Sequence, residues 1–142
     1  MLADLFDTPL SPTHAAQFSP LALAFIGDAV YELLARGQVL AGGSAPVGKL
    51  HHRTVGFVRA DAQAQAAHVL LPLLDEAEIA VLRRGRNANT AHVAKHADPI
   101  DYRYATGLEA LFGYLYLTGR TDRLRQLFAL IIKEKEAAAG TT

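Results

Sequence analysis

The stretch FIGDAVYE, residues 25–32, places a glycine and then an aspartate where a packed apolar helix would take two hydrophobes. The segment around it reads as a helix. Ser19 can cap, Pro20 is preset for the first helical position, and Leu23, Ile26, Val30, Leu33 and Leu34 recur at helical spacing until Gly37. The loop AGGSAPVG, residues 41–48, follows. The spacing therefore predicts a helix over about residues 20–37, uncharged from Pro20 to Leu34 except for Asp28 and Glu32. Those two acids share a face with Ala24, Phe25, Tyr31 and Ala35, so that face is not simply a solvated one.

Working outward, residues 47–71 form a second helical stretch. Leu50, Val55, Phe57 and Val58 precede the alanine-rich ADAQAQAAHVLL, with an interruption expected near Gly56 and a stop before Pro72. Asp75 with Glu78 three residues later has the form of a capping box opening a third helix, which carries Ile79, Val81 and Leu82 and ends around Arg84-Gly85. The segment RGRNANTAHVAKHADP, residues 84–99, is polar, basic and long. Beyond Pro99, Tyr104, Leu108, Leu111, Phe112 and Leu115 mark a fourth helix ending at Thr118-Gly119. A last helix begins near Thr121 and presents Leu124, Leu127, Phe128, Ile131 and Ile132. No segment alternates strictly between apolar and polar residues, so the expected fold is all-α, in one domain over about residues 15–136, with residues 1–14 and 137–142 loose.

The bulk composition sets limits on function. With 142 residues and 51% hydrophobic content, the chain can build one real core. Fourteen basic and fourteen acidic residues cancel, so any binding to a polyanion must come from local patches. No apolar run approaches the roughly 20 residues of a membrane span, and MLADLFDTPLSPTH lacks the basic start of a secretion signal. The expectation is a cytoplasmic protein without a membrane partner. The absence of cysteine excludes disulfides, thiolate metal sites and cysteine nucleophiles. Charge is unevenly distributed: four acids and no base precede Arg36, whereas residues 49–59 hold Lys49, Arg53 and Arg59 with no acid. Residues 83–103 hold Arg83, Arg84, Arg86, Lys95 and Arg103 against Asp98 and Asp101. These two segments are either an anion-binding surface or ordinary solvated helix ends.

The fourth helix repeats the oddity of the first. Between Arg103 and Arg120 its single charged residue is Glu109, flanked at helical spacing by Thr106, Phe112 and Gly113. A carboxylate in low-dielectric surroundings is unfavourable unless it is neutralised, hydrogen-bonded or bound to a cation. Taken separately, each acid is explained by a hydrogen bond or a place at the core edge. Taken together, they permit another arrangement: helices crossing near Gly27 and Gly113 would bring Asp28 and Glu109 onto one hard cation. A mid-helix glycine is destabilising by about 1 kcal/mol relative to alanine, which close helix approach would offset. Magnesium suits such a pair because water and a substrate phosphate complete its octahedron.

Three motifs carry a family resemblance. LALAFIGDAVYE, residues 21–32, resembles the signature helix of the ribonuclease III catalytic domain, and ATGLEALFGYLYL, residues 105–117, resembles its second acidic helix. EIAVLRRGRNAN, residues 78–89, with YRYATGLEALFGYLYLTG, residues 102–119, is similar to the Mini-ribonuclease III branch, which lacks a double-stranded-RNA-binding domain. The resemblance spans about residues 19–132. It implies an all-helical homodimer that cuts double-stranded RNA with Mg2+, or Mn2+ as a substitute, leaving 5′-phosphate and 3′-hydroxyl ends. For this branch the implied substrate is a stem in precursor 23S ribosomal RNA, with a ribosomal protein as a candidate stimulator. By position, Asp28 and Glu109 match the family's catalytic, metal-binding acids. Two further family carboxylates are missing, since Ala24 and Thr106 stand in their places. That departure favours one cation held partly through water over a tight two-metal site.

For RNA binding, the candidates are Lys49, His51, His52 and Arg53 on the second helical stretch, and Arg83, Arg84, Arg86, Asn87 and Asn89 after the third helix. Duplex RNA is held mainly by shape through phosphates and 2′-hydroxyls, and a dimer doubles a modest set of cations. The resemblance implies that the loop of about residues 85–99 reaches into the RNA. His92 and His96 have the spacing of a helical metal pair but no third ligand, so a zinc site is not expected there. Tyr102, Tyr104, Tyr114 and Tyr116 read as core or interface rather than as a base-stacking platform. The competing reading is a catalytically silent helical dimer that binds structured RNA or a ribosome-assembly partner; retention of both acids argues against it.

Overall fold

The structure is a computed structural model and describes residues 9–88 and 98–140. Seven α-helices follow in order: α1 Pro12–Ala16, α2 Pro20–Ala41, α3 Val47–Val58, α4 Ala60–Leu70, α5 Glu76–Arg86, α6 Pro99–Leu117 and α7 Thr121–Gly140, with a 3-10 turn at Leu71–Leu73. Among the described residues there is no strand, as the absence of alternating patterns predicts. No helix of the described residues is long and apolar enough to cross a membrane.

The caps are where local sequence places them. Ser19 Oγ accepts from the Ala22 amide at 3.1 Å, with Pro20 in the first turn of α2. Asp98 accepts from Ile100 and Asp101 at 2.8 and 3.2 Å, with Pro99 opening α6. The capping box of α5 is reciprocal: Asp75 accepts from the Glu78 amide at 2.8 Å, and Glu78 accepts from the Asp75 amide at 2.9 Å. At the far end of α6, Arg120 N–H donates to Leu115 O and Gly119 N–H to Tyr116 O, a Schellman closure with Gly119 at φ +74.

Helix α6 is the centre of the molecule, with α2, α5 and α4 packed around it. It buries Ala105 to Leu108 and Ala110 to Tyr116, which is why its sequence is apolar on nearly every side. Tyr31 of α2 packs edge-on against Phe112 of α6 and Phe128 of α7, with centroids 5.1 and 5.6 Å apart.

Four boundaries differ from the sequence expectation, and the first is the end of α2, which runs on through Gly37 to Ala41. The second helical stretch breaks at Arg59, whose ψ of 150° is extended, and not at Gly56. Gly56 stays helical and its carbonyl accepts from Lys135 Nζ at 3.0 Å, while Phe57 packs against Phe128. Residues 9–14, expected to be loose, are tied down: Leu10 N–H donates to Leu117 O at 2.8 Å and Ser11 caps α1, whose Ala15 is fully buried. Helix α7 continues through residues 137–140, also expected to be loose, because alanine-rich sequence propagates a helix once packing has begun it.

Candidate active site

Asp28 and Glu109 come together because two backbones touch. A Cβ on Gly27 would lie 1.6 Å from the Glu109 carbonyl oxygen, and one on Gly113 would lie 2.0 Å from the Leu23 carbonyl oxygen. Only glycine fits either place, and the crossing expected at these two residues is present. Asp28, next in sequence to Gly27, therefore stands at the level of Glu109, and the two carboxylates interact directly. Asp28 is exposed and Glu109 half-buried, so the pair forms the wet edge of a dry crossing.

A third side chain closes the arrangement. Gln63 of α4 is 3% exposed and brings its amide within hydrogen-bonding reach of the Glu109 carboxylate. Thr106, one turn before Glu109, is turned away, its hydroxyl donating to Tyr102 O at 2.9 Å. Ala24 contributes only a buried methyl. Glu32, one turn beyond Asp28, faces Arg36 with Nε–Oε2 at 3.6 Å.

The electrostatics record an unmet charge. Burial pushes the Glu109 carboxyl up, and its contact with Asp28 adds to this; the Gln63 amide opposes both, and the net value rises to about 8. Glu109 thus holds a proton at neutral pH when no cation is present. The Tyr31 phenol is pushed up as well, first by burial and then by the charge of Glu109, so it remains a neutral hydroxyl.

Two facing carboxylates that resist joint ionisation fit a divalent cation, which would cancel the repulsion. Among the described residues no third histidine, cysteine or acid joins them into a larger cluster. The donors are hard oxygens and few, which suits magnesium, an ion that keeps several waters and takes one or two carboxylates.

The basic candidates fall on two helices with different neighbours. Lys49, His51, His52 and Arg53 are exposed on α3, which packs on α2 and α4. Arg83, Arg84 and Arg86 form the last turn of α5, and Asn87 is its C-cap. Arg84 is engaged by the fold: its guanidinium donates to Ala16 O at 3.4 Å and Phe18 O at 3.2 Å, latching α5 to the corner between α1 and α2. Arg86 donates to Asn87 Oδ1 at 3.1 Å and lies 5.6 Å over the Tyr104 ring, which in turn sits 4.3 Å from the His68 ring. Asn89, His92, Lys95 and His96 lie outside the described residues.

Residues 21–120 match the Ribonuclease III domain family, a span containing both acids. The chain belongs to the ribonuclease III family, in its Mini-ribonuclease III branch. It is an endoribonuclease. The Mini-ribonuclease 3 of Desulfitobacterium hafniense (strain Y51) is 47% identical over 117 residues, covering 82% of this chain and 74% of that protein. That of Thermoanaerobacter sp. (strain X514) is 47% identical over 124 residues, covering 87% of each. A crystal structure of a Fusobacterium nucleatum protein is similar at a TM-score of 0.75 and 28% identity, over 84% of this chain and 95% of that one.

Gln63 and Tyr31 are the site neighbours that sequence reasoning did not single out. Gln63 carried a signal: it falls in phase with the buried Ala67 and Leu70, a polar residue at a core position of α4. A second glycine crossing was also missed. A Cβ on Gly107 would lie 2.6 Å from the Leu82 carbonyl oxygen, and one on Gly85 would lie 2.8 Å from the Gly107 Cα. Helix α6 is thus gripped from two sides, by α2 at the acids and by α5 away from them.

Proposed function

We propose that this endoribonuclease hydrolyses double-stranded RNA with magnesium, Asp28 and Glu109 being its catalytic and metal-binding acids. The observation that carries the reading is the facing pair itself, in which Glu109 is pushed up to about 8 by burial and by Asp28. Asp28 and Glu109 would hold the cation, and Glu109 would give up its proton on holding it. Asp28, exposed at the rim, offers its oxygens outward toward the ion and a phosphate. Glu109, deeper, would hold the ion directly or through a water and would orient the attacking water. When bound, magnesium acidifies that water and stabilises the charge on the phosphate. The bond broken is P–O3′, which gives 5′-phosphate and 3′-hydroxyl products. No histidine is needed as a base.

The substrate class proposed is a precursor 23S ribosomal RNA stem in the cytoplasm. Exposed Lys49, His51, His52 and Arg53, with Arg83, Arg86 and Asn87, are proposed to meet its phosphates and 2′-hydroxyls. Arg84 and Asn89 complete that proposed set, Arg84 while also serving as a latch. A homodimer is supported by a ridge on α2, where Leu21, Phe25, Leu33 and Leu40 are all exposed, Phe25 to 83%. A second copy covering this ridge would double the cationic surface of a chain whose net charge is zero.

The test is incubation of the purified protein with a long RNA duplex in magnesium and in EDTA. Shortening of the duplex in magnesium, and none in EDTA, is expected. Binding without cutting in magnesium and in manganese would refute the reading.

A further inference from the structure

Five polar or charged side chains among the described residues are buried: Thr54, Gln63, Glu78, Thr106 and Thr121. Thr54 and Thr106 return their hydroxyls to their own helices, donating to Leu50 O and Tyr102 O at 2.9 Å each. Thr121 begins α7. Glu78 belongs to an ion pair with Arg123. Gln63 is different, because its amide reaches across from α4 to the acid of α6. Burying an amide is unfavourable unless a partner compensates. On the same face of α4 the other buried residues are Ala64, Ala66, Ala67 and Leu70, so packing alone would have taken another apolar side chain.

We infer that Gln63 is a positioning residue for the metal site: its side-chain amide holds the Glu109 carboxylate in the orientation that faces Asp28 and a cation. The inference rests on the magnesium reading above. The geometry explains why such a holder is needed. Ala24 offers only a methyl and the Thr106 hydroxyl is spent on Tyr102 O, so neither position supplies a hydrogen bond to Glu109. The Gln63 amide favours the charged form of the Glu109 carboxyl, against burial and Asp28. Being neutral, it adds no charge to a pair that already repels. Partners of metal ligands that act in this way typically alter affinity by 10–100-fold when removed.

The experiment measures Mg2+ and Mn2+ binding to the metal-free protein by calorimetry in wild type, Gln63→Met and Asp28→Asn, with melting in EDTA alongside. Methionine keeps the length and volume of glutamine and removes the donor. For Gln63→Met we expect cation affinity to fall about tenfold, and kcat on duplex RNA to fall with it. The KM and the melting temperature in EDTA should stay at wild-type values. Gln63→Leu is measured in parallel, so that a poorly folding methionine variant leaves a second readout. A variant that melts lower in EDTA but binds both cations with wild-type affinity would make Gln63 a packing residue and overturn the inference. The aspartate variant separates the two claims. If wild type binds cation and Asp28→Asn does not, while Gln63→Met binds normally, the positioning role fails and the metal site stands. If wild type and Asp28→Asn bind alike, the metal reading itself fails.

Discussion

Glu78 and Glu109 are both glutamates enclosed between helices, and their surroundings drive them in opposite directions. Glu78 is fully buried. Burial would raise its pKa, but the Arg123 guanidinium at 2.7 and 2.8 Å, the Asp75 amide and the charge of Arg120 together hold the carboxyl below its usual range. Glu109, half-buried, rises to about 8: burial raises it first, and Asp28 adds to the rise where Glu78 has Arg123 to oppose it. Burial by itself therefore does not mark a site. Glu78 joins the start of α5 to the start of α7 and is electrically complete, whereas Glu109 is left with a deficit that a cation or a proton must meet.

Three substitutions would break or sharpen this contrast, the largest effect first. Asp28→Asn should lower duplex cutting on the order of 10³-fold, about 4 kcal/mol of transition-state stabilisation, with duplex binding retained. A fully active variant, in single-turnover cleavage, would remove Asp28 from the chemistry. Glu78→Gln leaves Arg123 facing a neutral partner and should destabilise the fold by about 3 kcal/mol, read by urea unfolding. A loss below about 1 kcal/mol would mean that Arg123 rehydrates freely.

The third substitution concerns pH. A carboxyl whose folded pKa lies above the ordinary value binds its proton more tightly in the native state, so stability falls as pH rises from 4.5 toward 8. Glu78 has the opposite sign: its contribution is present above pH 4.5 and lost as pH falls through its lowered folded value. Glu109→Gln in EDTA should therefore raise stability at pH 8 by about 1–2 kcal/mol, or a few degrees in melting temperature. Below pH 4.5 the gain should vanish. An equal gain at both pH values would point to packing in place of charge.

Local signals made much of the fold legible in the sequence. Ser19-Pro20, the Asp75 and Glu78 box, Asp98-Pro99 and Thr118-Gly119 each act within one helical turn, so the starts of α2, α5 and α6 and the close of α6 could be read from neighbouring residues. The break at Arg59 could not: a partner for the Gly56 carbonyl in the last turn of α3 comes from Lys135, far along the chain. The same division runs through the site. Asp28, with Glu32, stood out as a charge on an apolar helix and Glu109 as a lone one, and Gly27 and Gly113 as glycines with no local purpose.

The sequence by itself determined the all-helical class, the starts of α2, α5 and α6, the two suspicious acids and the family. It did not determine that Gly107 meets Gly85, that Arg84 spends its guanidinium on Ala16 and Phe18, or that Gln63 turns toward Glu109. Those depend on which helix faces come within a few ångströms of one another. That distance was set by the tertiary structure, where glycine crossings bring α2 and α5 onto α6 and leave one acid beside another.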